Sequence, residues 1–296
     1  MAFDRTRLRG SLTALITPFD KGVVDESAFK RIVEHQISEG THGLVPCGTT
    51  GESPTISHDE HRRLLELTVE TANGRAFVLG GAGSNATAEA IELARHAERV
   101  GCDAAICVVP YYNKPSQEGL YRHFAAIAEA ISITHVLYNV PGRTVADILP
   151  ETIGRLAKIA NVVGIKDASG KIERVSQQRI AAGADFVQLS GDDPNAVGFN
   201  AQGGVGCISV TSNVAPALCA RLQNASLQGN LAAANEINDR LMELHGLMFA
   251  EPSPAPAKFG ASLLGLCADE VRLPIVPLSG GTKERIKAAM TVAGLL

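Results

Sequence analysis

Short, continuous apolar runs alternate along this chain with longer segments whose apolar residues recur every three or four positions. Eight runs stand out, beginning at Leu12 (LTALITPF), Gly43 (GLVPCGTTGE), Ala76 (AFVLGGAG), Ala104 (AAICVVPYY), Ile133 (ITHVLYNVP), Val162 (VVGIKDAS), Asp185 (DFVQLSGDD) and Val205 (VGCISVTSN). Runs that are apolar at nearly every position, rather than at alternate ones, suit strands covered on both faces, as in a parallel sheet. Successive runs begin 20 to 33 residues apart, the span of a strand, a helix and two short loops. The segments between them carry helical signals. SHDEHRRLLELTVETANG opens on Ser57 with Glu60 three residues later, the pattern of a capping box, and stops near Gly74. TAEAIELARHAERVG sets Ile91, Leu93, Ala94 and Ala97 on one face and stops at Gly101. Eight strand-helix units predict an α/β protein, a (β/α)8 TIM barrel over residues 1–224. The absence of G-x-G-x-x-G after the first run argues against an open, doubly wound sheet. Residues 225–296 complete the chain. Helices are predicted in LQGNLAAANEINDRLMELHGLMF, PAPAKFGASLLGLC and GTKERIKAAMTVAGLL, separated by the breaker-rich AEPSPAP and RLPIVPLSGG. They predict a C-terminal helical extension packed on the barrel.

Reacting groups of barrel enzymes collect at the C-terminal ends of the strands. Those ends carry Thr17 and Pro18, then Gly48-Thr49-Thr50-Gly51-Glu52, Gly81 and Gly83, and Tyr111 and Tyr112. They continue with Tyr138, Asn139 and Arg143, Lys166 and Asp167, Gly191 and Asp192, and Ser209 and Thr211. Of nine lysines, Lys166 alone ends a buried strand, behind Val162 to Ile165; the other eight fall in polar turns or on charged stretches that read as helix faces. Burial disfavours an ammonium, and a neutral amine is what attacks a ketone or aldehyde to form a Schiff base. Tyrosines could pass the protons, and an arginine could grip a carboxylate with two hydrogen bonds. The plainer alternative for Lys166 is a salt bridge to Asp167. This rim has no metal-ligand cluster, and His58 and His61, three apart at a helix start, have no third ligand nearby in sequence. Glu60 reads as the capping partner of Ser57 rather than a general base, and Cys47 as a packed thiol. GTTGES can be a structural turn or a carboxylate cradle. It is not a P-loop, because no Gly-Lys-Ser/Thr follows.

Composition narrows the picture further. A hydrophobic share of 45% with 20% charged residues is that of a globular chain. A net charge of −4 and a pI near 6.1 provide no general basic field for nucleic acid or a membrane surface. No apolar run approaches the roughly 18 residues of a membrane helix. Arg5, Arg7 and Arg9 cluster near the start beside Asp4, with no signal-peptide apolar region after them, and read as a solvated N-terminus. The six cysteines are scattered and form no C-x-x-C pair, which suits a reducing, cytoplasmic setting.

GTTGES, PYYNKPSQEGLY, YNVPGRT, GIKDASG and LSGDD…GGVGCISVTSN, taken together in this order, resemble the dihydrodipicolinate synthase family. These are class I, pyruvate-dependent aldolase-type enzymes of the N-acetylneuraminate lyase superfamily, and the resemblance runs from the first strand to the terminal AGLL. It implies condensation of pyruvate with L-aspartate 4-semialdehyde to 4-hydroxy-tetrahydrodipicolinate, on the route to diaminopimelate and lysine. The pyruvate would form a Schiff base with Lys166, with no cofactor and no metal. Tyr138 would stand over the imine and relay protons, Thr49 would hydrogen-bond Tyr138, and Tyr112 would finish the relay in the site of a neighbouring subunit. Thr50 would hold the pyruvate carboxylate and Arg143 that of the semialdehyde, while Gly191 and Ile208 would bring backbone near the lysine. A homotetramer, a dimer of dimers, is implied as well.

In bacterial members that L-lysine feedback-inhibits, the positions matching Ser53, Pro54, Ile56, His58, His61, Asn85, Glu89 and Tyr111 belong to a lysine site at a subunit interface. Pro54 departs from the alanine of the better-known inhibited enzymes. Two other readings stay open at this point. One keeps the Schiff base but acts as an N-acetylneuraminate or 2-keto-3-deoxy sugar acid lyase, against which Arg143 argues, since it suits a small carboxylated partner. The other is a non-catalytic barrel that binds pyruvate or lysine.

Overall fold

In the computed structural model, which describes residues 4–296, the eight apolar runs become parallel strands closed into one barrel. The chain opens with β1 (Gly10–Ala14), a small hairpin of β2 (Phe19–Asp20) and β3 (Val23–Val24), and α1 (Glu26–Ser38). Then follow β4 (Gly43–Val45), α2 (His58–Ala72), β5 (Phe77–Gly81), α3 (Thr87–Arg99), β6 (Ala104–Val108) and α4 (Gln117–Ala130). β7 (Thr134–Asn139) leads through two short helices, α5 (Pro141–Thr144) and α6 (Pro150–Leu156), into β8 (Val162–Asp167) and α7 (Arg174–Ala182). β9 (Val187–Ser190), α8 (Ala196–Ala201), β10 (Gly206–Ser209) and α9 (Pro216–Leu227) complete the barrel. β1 pairs with both β4 and β10, which closes the sheet. The C-terminal region adds α10 (Leu231–Leu247), α11 (Ala255–Leu263) and α12 (Gly280–Val292).

The barrel interior is filled, with Leu12, Val45, Phe77, Leu79, Val136, Val163, Leu189 and Ile208 in one apolar cluster that Leu8 joins from the N-terminal side. The opposite strand faces meet the helices, so, as the continuous runs predict, the barrel strands are buried at every position except Val108 and Tyr138, which are partly exposed. Between β7 and β8 the register slips: His135 faces Val162 but Val136 faces Gly164, so β8 carries one extra residue. Such a bulge re-aims the side chains beyond it. Past it, Tyr138 and Lys166 stand side by side on adjacent strands.

The capping box is formed: Ser57 N–H donates to Glu60 Oε2 at 2.8 Å, and Glu60 N–H donates to Ser57 Oγ at 3.2 Å. α2 ends at Ala72, with Asn73 in the left-handed region at φ 45°. The β2–β3 hairpin was not predicted, because strands of two residues show no periodicity. Lys21 and Gly22, both at positive φ, make its tight turn. β1 starts at Gly10, two residues before the predicted run.

Two expectations are corrected, and the apolar face predicted on α3 stands: Ala90, Leu93, Ala94 and Ala97 are buried, and Ile91, partly buried, packs against the same core as the first three. Ala90 completes the i, i+3, i+4, i+7 stripe, which leaves Ile91 on its flank. The first C-terminal helix begins at Leu231 rather than Leu227, because Gly229 (φ 75°) ends the preceding turn and the Asn230 side chain caps Ala233 N–H. The N-terminus is not simply solvated. Arg5 donates to the Asp185 carbonyl at 2.7 Å, Arg7 pairs with Asp103 at 2.8 Å, and Leu8 is fully buried.

The extension is part of the core, as predicted. Leu241, Leu244, Met248, Ala257, Ile286 and Met290 share one cluster with Phe29, Ile32, Leu64 and Leu67 of α1 and α2. Among the described residues no helix is long and apolar enough to cross a membrane.

Candidate active site

Lys166, the next-to-last residue of β8, has 8% of its surface exposed, and its Nζ lies 4.2 Å from the centroid of the Tyr138 ring. Gly191 packs against the other side of its stem. A Cβ at Gly191 would stand 2.9 Å from Lys166 Cε, so glycine there leaves room for the lysine side chain. Gly191 N–H donates to the Asp167 carbonyl at 2.7 Å, which fixes that closeness. Ile208 is fully buried inside the barrel, paired with Leu12 of β1.

Asp167 does not pair with the lysine. It alternates to the other face of β8 and accepts from Arg174 Nε at 2.9 Å, Gln178 Nε2 at 2.5 Å and Ser169 N–H at 2.9 Å. Arg174 continues to Asp147 at 3.2 Å and to the Ile148 carbonyl at 2.6 Å, and Asn139 Nδ2 donates to Asp147 Oδ1 at 2.9 Å. This network ties the end of β8 to the loop after β7, the loop that carries Arg143. The sequence reading missed Arg174, because a charge in a helical segment reads as solvent-facing until its buried partner is known.

The GTTGES turn rises from β4 beside the lysine. Gly51 N–H donates to the Gly48 carbonyl at 3.0 Å, Glu52 N–H to the Thr49 carbonyl at 3.1 Å, and Thr17 Oγ1 to the Gly51 carbonyl at 2.7 Å. A Cβ on Gly51 would come within 3.2 Å of backbone at Cys47 and Leu15, so that glycine allows the close turn. Thr49, Thr50, Tyr138 and Lys166 together line an inner cavity of about 50 Å³. Thr49, Ser53, Gly83 and Val108 are shared with an outer cavity of about 400 Å³, whose wall also holds Arg143. Cys47 is buried, which pushes its thiol up, and its Sγ lies 3.6 Å from the His61 carbonyl; it is a packed thiol.

The outer cavity gathers Ser53, Pro54, Ile56, His58, His61, Glu89 and Tyr111. Asn85 stands behind them, with its Nδ2 donating to the Tyr111 carbonyl at 3.3 Å. His58 Nε2 meets Glu89 Oε1 at 2.8 Å, and Ser84 Oγ donates to the other Glu89 oxygen. The Ser84 bond first, then His58, hold the Glu89 carboxyl below its ordinary range. Burial pushes His61 down to about 4. Glu60 is a capping residue with a second partner that sequence did not reveal. The Arg272 guanidinium grips it at 2.6 and 2.8 Å and, with the Ser57 bonds, holds it at about 2. Among the described residues no three His, Cys, Asp or Glu side chains gather as a metal site.

Tyr112 lies outside both cavities of its own chain, 90% exposed and at φ 72°. One lysine reading fails. Lys258, expected on a charged helix face, is fully buried on α11 and paired with Glu52 at 2.5 Å. The surrounding stretch PAPAKFGASLLGLC is nearly all apolar, a signal that could have flagged it.

A buried lysine under a phenol ring, at the C-terminal mouth of an eight-stranded barrel, defines a barrel enzyme of the Schiff-base, class I aldolase kind. Within that class, the chain belongs to the Dihydrodipicolinate synthetase family, whose profile matches residues 7–293. Enzymes of this family work through a covalent pyruvate Schiff base and no external cofactor. A curated relative from Parvibaculum lavamentivorans, a 4-hydroxy-tetrahydrodipicolinate synthase, is 60% identical over 97% of this chain and 99% of its own length. The crystal structure of the chloride-inhibited dihydrodipicolinate synthase of Acinetobacter baumannii with pyruvate is 40% identical, with a TM-score of 0.95 over 97% of this chain and 99% of that one. That of the Cyanidioschyzon merolae enzyme with lysine bound is 36% identical, with a TM-score of 0.95 over 98% and 99%.

Proposed function

We propose that this chain condenses pyruvate with L-aspartate 4-semialdehyde to 4-hydroxy-tetrahydrodipicolinate, in the diaminopimelate and L-lysine pathway. The observation that carries the reading is one cavity that holds the buried Lys166 amine, the Tyr138 ring 4.2 Å from it, and the Thr49–Thr50 turn. Lys166 attacks the ketone carbon of pyruvate and, with loss of water, leaves an iminium. The iminium draws electrons from the methyl group, which loses a proton to give the enamine that attacks the aldehyde. The amine of the semialdehyde then adds to the re-formed iminium carbon, closing the ring and displacing the Lys166 amine. Tyr138, Thr49 and Tyr112 carry these protons, since linked hydroxyls pass a proton more readily than one phenol alone. Thr50 and its backbone hold the pyruvate carboxylate, with Gly191 and Ile208 supplying backbone beside the lysine. Arg143, in the wall of the outer cavity, receives the semialdehyde carboxylate.

Tyr112 reaches the site of a neighbouring subunit in a homotetramer, a dimer of dimers. Its 90% exposure beside the outer-cavity residue Tyr111 supports this, because a relay phenol needs a surface to cover it. Mixed oligomers of Tyr112→Phe and Lys166→Ala chains should regain activity; verified exchange with no recovery would refute sharing. Residues 1–224 hold the reacting groups and 225–296 brace them. Six free cysteines, five of them buried, support a cytoplasmic setting. L-lysine is the candidate inhibitor, bound by the outer-cavity residues Ser53, Pro54, Ile56, His58, His61, Glu89 and Tyr111, with Asn85 behind them.

The test is turnover. With pyruvate present, L-aspartate 4-semialdehyde should be consumed far faster than N-acetylneuraminate or a 2-keto-3-deoxy sugar acid is cleaved. The reverse order of kcat/KM would contradict the reading.

A further inference from the structure

Two lysines of this chain are buried, and the reaction uses one. The other, Lys258 on α11, places its Nζ 2.5 Å from Glu52 Oε1, donates to the Glu270 carbonyl at 2.6 Å and lies 3.9 Å from the Phe19 ring centroid. Glu52 is 3% exposed, and its second oxygen accepts Arg272 N–H at 3.2 Å. Burial pulls the Lys258 ammonium below its ordinary range, and the Glu52 carboxylate opposes that. A buried ion pair costs two desolvations and often stabilises a fold no better than apolar residues of the same size. Stability alone is therefore a poor reason for this one.

Its placement gives a better reason. Glu52 closes the GTTGES turn: its N–H donates to the Thr49 carbonyl, and its own carbonyl accepts Thr55 N–H at 2.9 Å. Both ends of the turn, Cys47 and Glu52, sit in the left-handed region at φ 56°, which non-glycine residues hold only when their surroundings enforce it. The Glu52 carboxylate is gripped by the C-terminal region while its backbone grips Thr49. Glu270 locks the same layer from the other side by accepting the N–H groups of Lys21 and Gly22 at 2.8 and 2.6 Å.

We propose that Lys258 and Glu52 are a positioning pair, which ties α11 to the Thr49–Thr50 turn and holds that turn in register for the pyruvate carboxylate and the proton relay. The proposal rests on the roles given to Thr49 and Thr50 above. It is tested with Lys258→Met, Glu52→Gln and the double variant. Lys258→Met leaves a lone buried carboxylate and should melt well below the unaltered protein. The double variant removes both charges and should recover much of that loss.

A merely structural pair would stop there. A positioning pair should leave the refolded double variant with a KM for pyruvate raised about tenfold or more, as expected where charge-assisted contacts to a carboxylate are misplaced. Borohydride trapping of pyruvate should slow in parallel, while the KM for the semialdehyde moves by less than about threefold, because Arg143 stands on a separate loop. A double variant with recovered melting and the original pyruvate KM and trapping rate overturns the proposal. Where the double variant does not fold, Glu52→Gln, which keeps size and an acceptor for Arg272, is judged on the same two readings. Absence of trapping in the unaltered protein would overturn the Lys166 assignment instead, so the two failures are distinct.

Discussion

Lys166 owes its surroundings to near neighbours in sequence and to residues far from it. Val162 to Ile165 bury the strand behind it, which the apolar run announces. Tyr138 over its amine and Gly191 against its stem come from neighbouring strands, and the motifs YNVPGRT and LSGDD mark both. What sequence did not reveal is the set of buried charges that brace the site. Arg174 and Arg272 sit in stretches where a cation reads as exposed, while the apolar surroundings of Lys258 hint at burial but not at its partner. Lys258 and Arg272 find their acidic partners more than 200 residues away. Long-range pairing of charges leaves no periodic trace, so a single chain does not show it. Arg143 gives a prediction at this scale. Arg143→Ala should lower kcat/KM for the semialdehyde by about 10- to 100-fold, the size of a lost charge-assisted contact, and leave pyruvate trapping intact. An equal loss in trapping would place Arg143 on the pyruvate side instead.

Among the elements, the eight strands were legible because each is covered on both faces and so reads as unbroken apolar sequence. α2 was legible from its cap. Shorter pieces were not: β2, β3 and the small helices α5 and α8 are held by their surroundings rather than by any pattern of their own. The start of α2 carries the candidate inhibitor site, where His58 reaches across to Glu89 of α3 at 2.8 Å. His61, one turn on, is buried, so its removal would disturb packing and blur the result. His58→Ala is the cleaner change. It should raise the L-lysine concentration needed for half-inhibition by about threefold or more, with uninhibited rates unchanged, as for loss of one partly exposed polar contact. Unchanged inhibition would remove this helix start from the site.

For the whole molecule, the C-terminal helices share a core with α1 and α2, and Lys258 and Arg272 extend that contact into the mouth of the barrel. The extension was legible as helices; the buried contacts from Lys258 and Arg272 to Glu52 of the GTTGES turn were not. Burial also sets a pH response. It pushes His61 and His123 down to about 4 and His135 to about 3, so all three are neutral in the fold near pH 6. The unfolded chain binds their protons near 6.5. Stability should therefore fall as pH drops from about 6.5 towards 4, by up to about 1.4 kcal/mol per pH unit for each histidine. Denaturant midpoints at pH 7.5 and pH 5 check this, and equal midpoints would contradict it.

The central claim is that Lys166, and not the more deeply buried Lys258, forms the imine. Borohydride added with pyruvate should inactivate the protein and leave the mass of one reduced pyruvate on the peptide that contains Lys166. An unmodified Lys166 peptide, under conditions that trap a known enzyme of the family, or a modification carried by Lys258, would contradict it.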